Sequence, residues 1–503
     1  MRIALFAAKK YERKPDPSPL SQPSLADVLC NDGLALHERG RYAEAVASFD
    51  LALAMRSDDA VALNNRGVAL NALGRHADAL ASYGRALAIR PDYVQALYNR
   101  GRAYDELDRY ADALACYDKV LALDPQHAEA HNNRGVALDT LGRSEEALES
   151  FTKALAIRPD YAEAFSNRGT ALVELDRPED ALASYDAALA LDPDNAGFRW
   201  NRGLVHLRQG SLAAGWADYE WRRRTDEWEV RNLPGREWDG AAAPGQRVFL
   251  YAEQALGDTI QFARFARTVA AAGSNVVLEV QPPLAKLLQT LAGVAVIGRG
   301  APLPAFGRHL PLMSVPHVLR LPSVSADGPY LAAEPERTER WRRALGAEGL
   351  RVGIVWRGNP KAPGPSRAIP LRAYEPLSRI PGVRLISLQK DGAGQLADLP
   401  EGMTIETLGD DFDAGAGAFL DTAAVIMNLD LVIASDTSIA HLAGALGRPV
   451  WIALRHVTGW QWMTRGEVTP WYSTARVFRQ ARRGEWDDVF DRMAAELAAR
   501  QVC

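Results

Sequence analysis

Five glycines, Gly67, Gly101, Gly135, Gly169 and Gly203, stand 34 residues apart, each following an Asn-Arg pair. Gly33, in "CNDGLAL", extends the series one period towards the N-terminus. A repeat at this spacing constrains the fold more than any local propensity does. Each unit is too small to bury a core alone, so its apolar face must be covered by the next unit. Other positions keep the same period. Ala45, Ala79, Ala113, Ala147 and Ala181 lie twelve residues after each of the first five glycines. Phe49, Tyr83, Tyr117, Phe151, Tyr185 and Tyr219 lie sixteen after all six, and Pro91, Pro125, Pro159 and Pro193 close four units. Small residues allow two helices to approach, the aromatic fills the space between them, and proline stops the second helix. The expected structure is an all-α superhelix of six helix pairs over residues 26–229, preceded by a flexible tail at 1–25. The sixth unit breaks its own pattern: Gly215 replaces the alanine, and "GWADYEWRRR" replaces the second helix. A unit of that kind is expected to dock on the next domain of the chain.

This period and pattern resemble the tetratricopeptide repeat. Asn31, Asn65, Asn99, Asn133, Asn167 and Asn201 occupy one place in all six first helices. The column resembles the asparagine ladder of the O-GlcNAc transferase repeats, whose carboxamides face a groove. A carboxamide offers both donor and acceptor to an extended backbone, so these six residues are the expected acceptor-binding set for a protein or peptide. The competing reading is that asparagine is simply common at this place in the repeat. Glu38, Glu106, Glu129, Glu163 and Glu174 are expected along the same groove. Arg66, Arg100, Arg134, Arg168 and Arg202 are read as packing and ion-pair residues between repeats.

After "RNLPGREWDGAAAPGQ" the pattern changes. Strand-like runs "RVFLYAE", "NVVLEV", "VAVIG" and "RHLPLM" alternate with helical stretches, and a second series comprises "RVGIVW", "VRLISLQ", "MTIETLG", "LDLVIAS" and "PVWIALR". Strands alternating with helices imply parallel sheets. The reading is an α/β module of two Rossmann-like units, a short one at 230–340 including a linker and a second at 341–503. Ligands of open parallel sheets bind beyond the carboxyl ends of the strands. That rule selects the loops "EQALGDT", "WRGNP", "SLQKDG" and the turn after "LDLVIAS". At this last turn Ser435, Asp436, Thr437 and Ser438 precede a small-residue helix carrying His441. Free N–H groups at a helix start suit a phosphate. A plain N-cap with a core histidine is the alternative.

Taken together, "DTSIAHLAGALGRPV" and "ALGDTIQ" resemble the C-terminal motif and N-terminal loop of the ADP-heptose:lipopolysaccharide heptosyltransferases, which are GT-B glycosyltransferases. The wider arrangement, including "PLMSVP", "WRGNP", "SLQK", "TPWY" and "VFRQARRGEW", resembles bacterial tetratricopeptide-repeat glycosyltransferases, some of which are implicated in modifying proteins such as flagellin. The resemblance implies a metal-independent transfer of sugar from a nucleoside-diphosphate donor. Asp258 then matches the catalytic base. Gly257, Arg367, Gln389, Lys390, Asp436, Thr437, Ser438 and His441 fall on the donor side. The nucleotide sugar is a substrate, and no cofactor or metal is implied. Asp411 and Asp413 form an Asp-x-Asp, the metal signature of the other transferase fold, and are set aside because they lie in a loop of a sheet order that already has a phosphate site. Trp460 and Trp462 are either stacking platforms for a base or sugar or core aromatics. The alternatives are a non-catalytic scaffold with a degenerate transferase fold, and a transferase acting on a glycan or lipid.

Composition narrows the field further. A formal net charge of -5 gives no electrostatic case for nucleic acid. Three cysteines far apart, Cys30, Cys116 and Cys503, argue against a disulfide framework or zinc site. Without an apolar run long enough to span a membrane, a cytoplasmic protein is expected.

Overall fold

The structure, a computed structural model, describes residues 23–242, 244–324, 328–358, 368–390 and 393–501. The chain forms two compact units, Met1–Arg202 and Gly203–Cys503. In the first unit, helices come in antiparallel pairs, beginning with Leu25–Glu38 and Tyr42–Met55, then Ala60–Ala72 and His76–Ile89. The expected packing holds in atomic detail. A Cβ added at Gly67 would lie 2.5 Å from a ring carbon of Tyr83, and at Gly135 2.6 Å from Phe151. The same ring meets Gly33, Gly101 and Gly169, so glycine is required where the aromatic of the second helix lies on the first. The repeated arginines clamp helices together. Arg66 bonds Asp50 of the preceding unit and Ser82 of its own, and Arg134 does the same with Asp118 and Ser150. Arg202 repeats the bond to Asp186, while Arg100 meets Cys116 and Arg168 meets Ser184.

The sixth pair differs, as its sequence suggests. Its second helix is short, Leu212–Tyr219, and runs into the 3-10 turn Glu220–Arg224. A Cβ at Gly203 would meet the backbone N of Tyr219 at 2.8 Å, not an aromatic ring. At Gly215 it would meet Leu207 at 2.6 Å. The two helices therefore lie too close for the usual alanine and aromatic, and Tyr219 turns elsewhere. The unit boundary accordingly falls at Arg202/Gly203, ahead of the break at 229/230 suggested by composition.

The second unit holds two sheets. The first has strands β1 (Arg236–Glu237), β2 (Arg247–Tyr251), β3 (Asn275–Val280), β4 (Val294–Gly298) and β5 (Arg308–Pro311), all parallel, in the order β1-β5-β2-β3-β4. The second has β6 (Leu350–Val355), β7 (Val383–Ser387), β8 (Leu431–Ala434), β9 (Val450–Leu454), β10 (Val468–Thr469) and β11 (Tyr472–Arg479), in the order β10-β11-β9-β8-β6-β7. Only β10 is antiparallel. The parallel α/β reading is thus correct, with two corrections. "MTIETLG" is no strand: it touches β7 through a single bridge, Ile386 to Glu406, at the sheet edge. The eight-residue β11 went unrecognised because "YSTARVFR" mixes polar with apolar residues. Both sheets reverse direction at a central strand. The crevice of the first lies between β2 and β5, that of the second between β6 and β8. No helix among the described residues is long and apolar enough to cross a membrane.

Candidate functional site

The second crevice lies beyond the carboxyl ends of β6 and β8. β8 is fully buried and delivers Ser435, whose N–H bonds Val355 O at the end of β6. The helix Ser438–Ala445 then starts from Thr437, an extended residue whose side chain does not cap it. The Oγ of Ser435 and the Oγ1 of Thr437 are both buried, with no hydrogen-bond partner among the described residues. Two buried hydroxyls at an uncapped helix start form a donor-rich hollow. A buried polar group left unpaired costs about 1–3 kcal/mol, so such a hollow favours an occupant with acceptor oxygens. Gly358 approaches the same turn: a Cβ there would lie 3.6 Å from Thr437 Cγ2. Next to it, Arg357 N donates to Gln389 Oε1 over 3.2 Å, so Gln389 stands beside this crevice. Lys390 does not join it, because its Nζ donates to Asp413 O at 2.9 Å. Arg367 lies outside the described residues.

Asp436 and His441 are held from one side by the segment Thr458–Met463. Trp462 is buried, donates from Nε1 to Asp436 Oδ1 at 2.8 Å, and stacks on His441 with ring centres 4.8 Å apart. Gln461 Nε2 donates to Asp258 Oδ1 at 3.2 Å. Trp460 meets Trp216, Phe262 and Trp471 edge-on. The two tryptophans are therefore packing residues that set the site's geometry, in line with the core alternative. Asp258 lies in the first turn of the helix Leu256–Ala271. Gly257, expected to approach a phosphate, instead approaches protein. A Cβ there would lie 3.1 Å from His441 Cδ2 and 3.5 Å from Ser438 Cα. Its role is to let two helix starts meet, which brings Asp258 and His441 together.

The first sheet's crevice is filled. Arg222, from the turn after the sixth repeat, is buried there with Nη2 on Glu253 at 2.5 Å and on Ser314 Oγ at 2.9 Å. Its Nη1 donates to Glu220 at 2.8 Å. Burial alone would weaken the guanidinium's hold on its proton, but Glu253 and Glu220 more than restore it. Nothing in the sequence distinguished Arg222 from its neighbours in "EWRRR", and Gln461 was missed likewise. The Asp-x-Asp is structural at Asp413. Its buried carboxylate accepts from the N–H groups of Asp421 (2.8 Å) and Thr422 (3.3 Å) and caps the helix Leu420–Met427. Burial raises its pKa.

Members of the asparagine column are tied to neighbouring side chains of the array. Asn99 Nδ2 donates to Asn64 at 3.0 Å, and Asn64 to Asn65 at 3.2 Å. Asn167 donates to Asn132 at 3.0 Å, Asn132 to Asn133 and Asn133 to Tyr98 OH, the last two at 3.1 Å. Asn99 is buried and Asn31 exposed. The six positions are therefore not equivalent, because their sequence neighbours reach across to the next unit.

Comparison with known proteins matches the description "Tetratricopeptide repeat" at residues 27–50, 58–126 and 98–162, and "TPR repeat" at 169–210. Protein FlbA of Caulobacter vibrioides is 27% identical over 336 residues, covering 58% of this chain. The match spans 53% of that protein, so the chain covers about half the length of the curated relative. Among solved structures, MamA from Desulfovibrio magneticus RS-1 is 24% identical, covering 34% of this chain and 97% of that one, with a TM-score of 0.33. YrrB, titled "a TPR protein with an unusual peptide-binding site", is 22% identical over 35% of this chain and 91% of its own, with a TM-score of 0.31. PilW, a type IV pilus biogenesis factor, is 20% identical over 41% and 96%, with a TM-score of 0.38. Tetratricopeptide repeats therefore run through residues 27–210.

Proposed function

We propose that the chain is a GT-B type glycosyltransferase that moves a sugar from a nucleoside-diphosphate donor to a protein acceptor docked on the repeats. The observation that carries this reading is the turn Ser435–Ser438. It combines an uncapped helix start with two buried hydroxyls that have no partner among the described residues, at the crevice of a largely parallel sheet. A diphosphate offers acceptor oxygens and negative charge, and both are matched there. In transfer, the acceptor oxygen attacks the anomeric carbon while the bond from that carbon to the diphosphate oxygen breaks. Charge then grows on the leaving diphosphate, where the helix N–H groups and hydroxyls stabilise it. Asp258 takes the acceptor's proton as general base. Gln461 Nε2 donates to one of its oxygens and orients the carboxylate.

The test is a thermal-shift screen of the full chain against nucleoside-diphosphate sugars. A donor present at a hundred times its Kd should add about 2.7 kcal/mol of stability. If no nucleoside diphosphate or its sugar raises the melting temperature, the crevice is not a donor site, and a scaffold role takes its place.

A further inference from the structure

Two supports reach the stretch that carries Asp258, and both leave from the end of the sixth unit. The first is Arg222. A guanidinium has five N–H donors, and all of them are engaged. Nε and Nη2 donate to Glu253 Oε1 at 3.1 and 2.5 Å, Nη2 also to Ser314 Oγ at 2.9 Å, and Nη1 to Tyr219 O at 3.2 Å and Glu220 Oε1 at 2.8 Å. Ser314 gives its own proton to Glu220 Oε2 at 2.9 Å, which closes the ring. The side chains of Arg222 and Glu253 are both buried. Glu253 lies in the short loop between β2 and the helix Leu256–Ala271, so its carboxylate anchors the stretch that delivers Asp258. Its second oxygen, Oε2, is buried with no hydrogen-bond partner among the described residues. Burial pushes this carboxyl's pKa up, and Arg222 opposes the rise. The second support is Tyr219. Its ring centre lies 4.5 Å from the Arg222 guanidinium carbon and 6.0 Å from the ring centre of Trp460. The residue after Trp460 is Gln461, which donates to Asp258 Oδ1. The loop before Asp258 and the amide beside it are thus both held from Tyr219–Arg222.

We infer that Arg222 is a positioning residue for Asp258: from the end of the repeat pattern it braces, through Glu253, the loop that sets where the proposed base stands. The role given to Asp258 rests on the proposed function, whereas the brace does not. Bonding separates this role from simple core filling. A large apolar residue would fill the same space, but a guanidinium joins Glu253, Glu220 and Ser314 through one rigid fork. Loss of Arg222 leaves a buried carboxylate without a partner, which is strongly disfavoured. The carboxyl must then take up a proton or reach water, and either releases the loop. A misplacement of about 1 Å at a catalytic group costs about 10²-fold in rate. Arg222 makes none of its bonds to the turn Ser435–Ser438, so donor binding does not depend on it.

The experiment is amide hydrogen exchange on the full chain, in wild-type protein, Arg222→Met and Arg222→Lys. Lysine keeps the charge and loses the fork, so it should fall between the other two, and where methionine does not fold, lysine alone decides. Amides of residues 252–258 should exchange faster in the variants, while those of 435–440 keep their protection. Unchanged exchange at 252–258 overturns the inference. So does lost protection throughout the second unit, or failure of both variants to fold, since Arg222 is then a general support of the core. With a nucleoside-diphosphate sugar that binds, diphosphate release in the presence of acceptor is then compared in a double-mutant cycle. Arg222→Met should lower turnover by about 10²-fold without weakening donor binding, and should cost little more in an Asp258→Asn background. Equal losses in the two backgrounds overturn the positioning role. Faster local exchange in a protein that binds no donor upholds the brace and sinks the proposed function instead.

Discussion

At the scale of single residues, the turn after β8 was legible because hydroxyls, a carboxylate and a histidine are crowded into one short stretch. Its partners were not. Gln461 reaches Asp258 across 203 positions of sequence, and no spacing or periodicity marks it. Tyr472 lay in a stretch read only as a motif fragment, so its bond to His441 had no sequence signature. Proline offers a clean probe of the turn. Ser438 is the first residue of its helix, where a missing N–H costs the fold little, and Thr437 before it is already extended, as a residue preceding proline prefers. Ser438→Pro therefore removes one ligand-facing N–H and leaves the helix intact. Hydrogen bonds to charged groups contribute about 1.5–3 kcal/mol, so nucleotide affinity by calorimetry should fall roughly tenfold or more with an unchanged circular dichroism spectrum. In the repeats, Asp105 accepts from Tyr117 OH, and burial pushes its pKa up to about 7. Its charge is penalised in the folded state, so the stability it permits is full below the unfolded pKa and is lost as pH rises towards 7. Asp105→Asn keeps the acceptor and removes that penalty. It should stabilise the array by ~2 kcal/mol at pH 8 and by little at pH 4, read by urea unfolding at the two pH values.

At the scale of elements, the helix pairs were legible almost to the residue, since the glycine, alanine, aromatic and proline all recur with one period. The reason is local: each signal reports a contact within one unit or with the next. Sheet edges were less legible. "MTIETLG" has strand-like alternation but only one bridge to β7, whereas β11, which pairs fully with β9, has no clear alternation. Pairing partners, which sequence pattern does not name, decided both cases. Two glycines separate packing from propensity. Gly67→Ala would place a methyl 2.5 Å from the buried Tyr83 ring, whereas a Cβ at Gly84, in the helix His76–Ile89, would meet nothing within 4 Å. Alanine gains about 1 kcal/mol of helix propensity at either position, but overpacking costs about 1–3 kcal/mol. Urea unfolding should show Gly67→Ala destabilised and Gly84→Ala stabilised. The same sign at both positions would mean that the ring yields freely and that glycine there is not a packing requirement.

At the scale of the whole molecule, the sequence separated repeats from α/β module, and the compact units divide inside the sixth repeat, at Arg202/Gly203. The sixth unit looks like a repeat by spacing, yet its second helix belongs to the α/β unit. There Trp216 meets Phe262 and Trp460, and Arg222 fills the first sheet's crevice. Only the substitution of Gly215 and the loss of the helix pattern hinted at this. In the proposed function labour divides along the same line: the α/β unit holds donor chemistry, and the array selects the acceptor. Asn99, Asn133 and Asn167 are the probe of the second half. Each carboxamide–backbone bond is worth on the order of 1 kcal/mol, so replacing all three by alanine should weaken acceptor modification by about 10²-fold if the contacts add, and leave donor hydrolysis unchanged. Because these asparagines also bond Asn64, Asn132 and Tyr98, a parallel fall in both rates would show that the column is structural. The central claim, sugar transfer with Asp258 as base, is tested most directly by nucleoside-diphosphate release from a donor that binds, with acceptor present, in wild-type protein and Asp258→Asn. Donor affinity should be retained in the variant and release should be slower by about 10²–10⁴-fold; equal rates in the two proteins, or no release by the wild type, would contradict the claim.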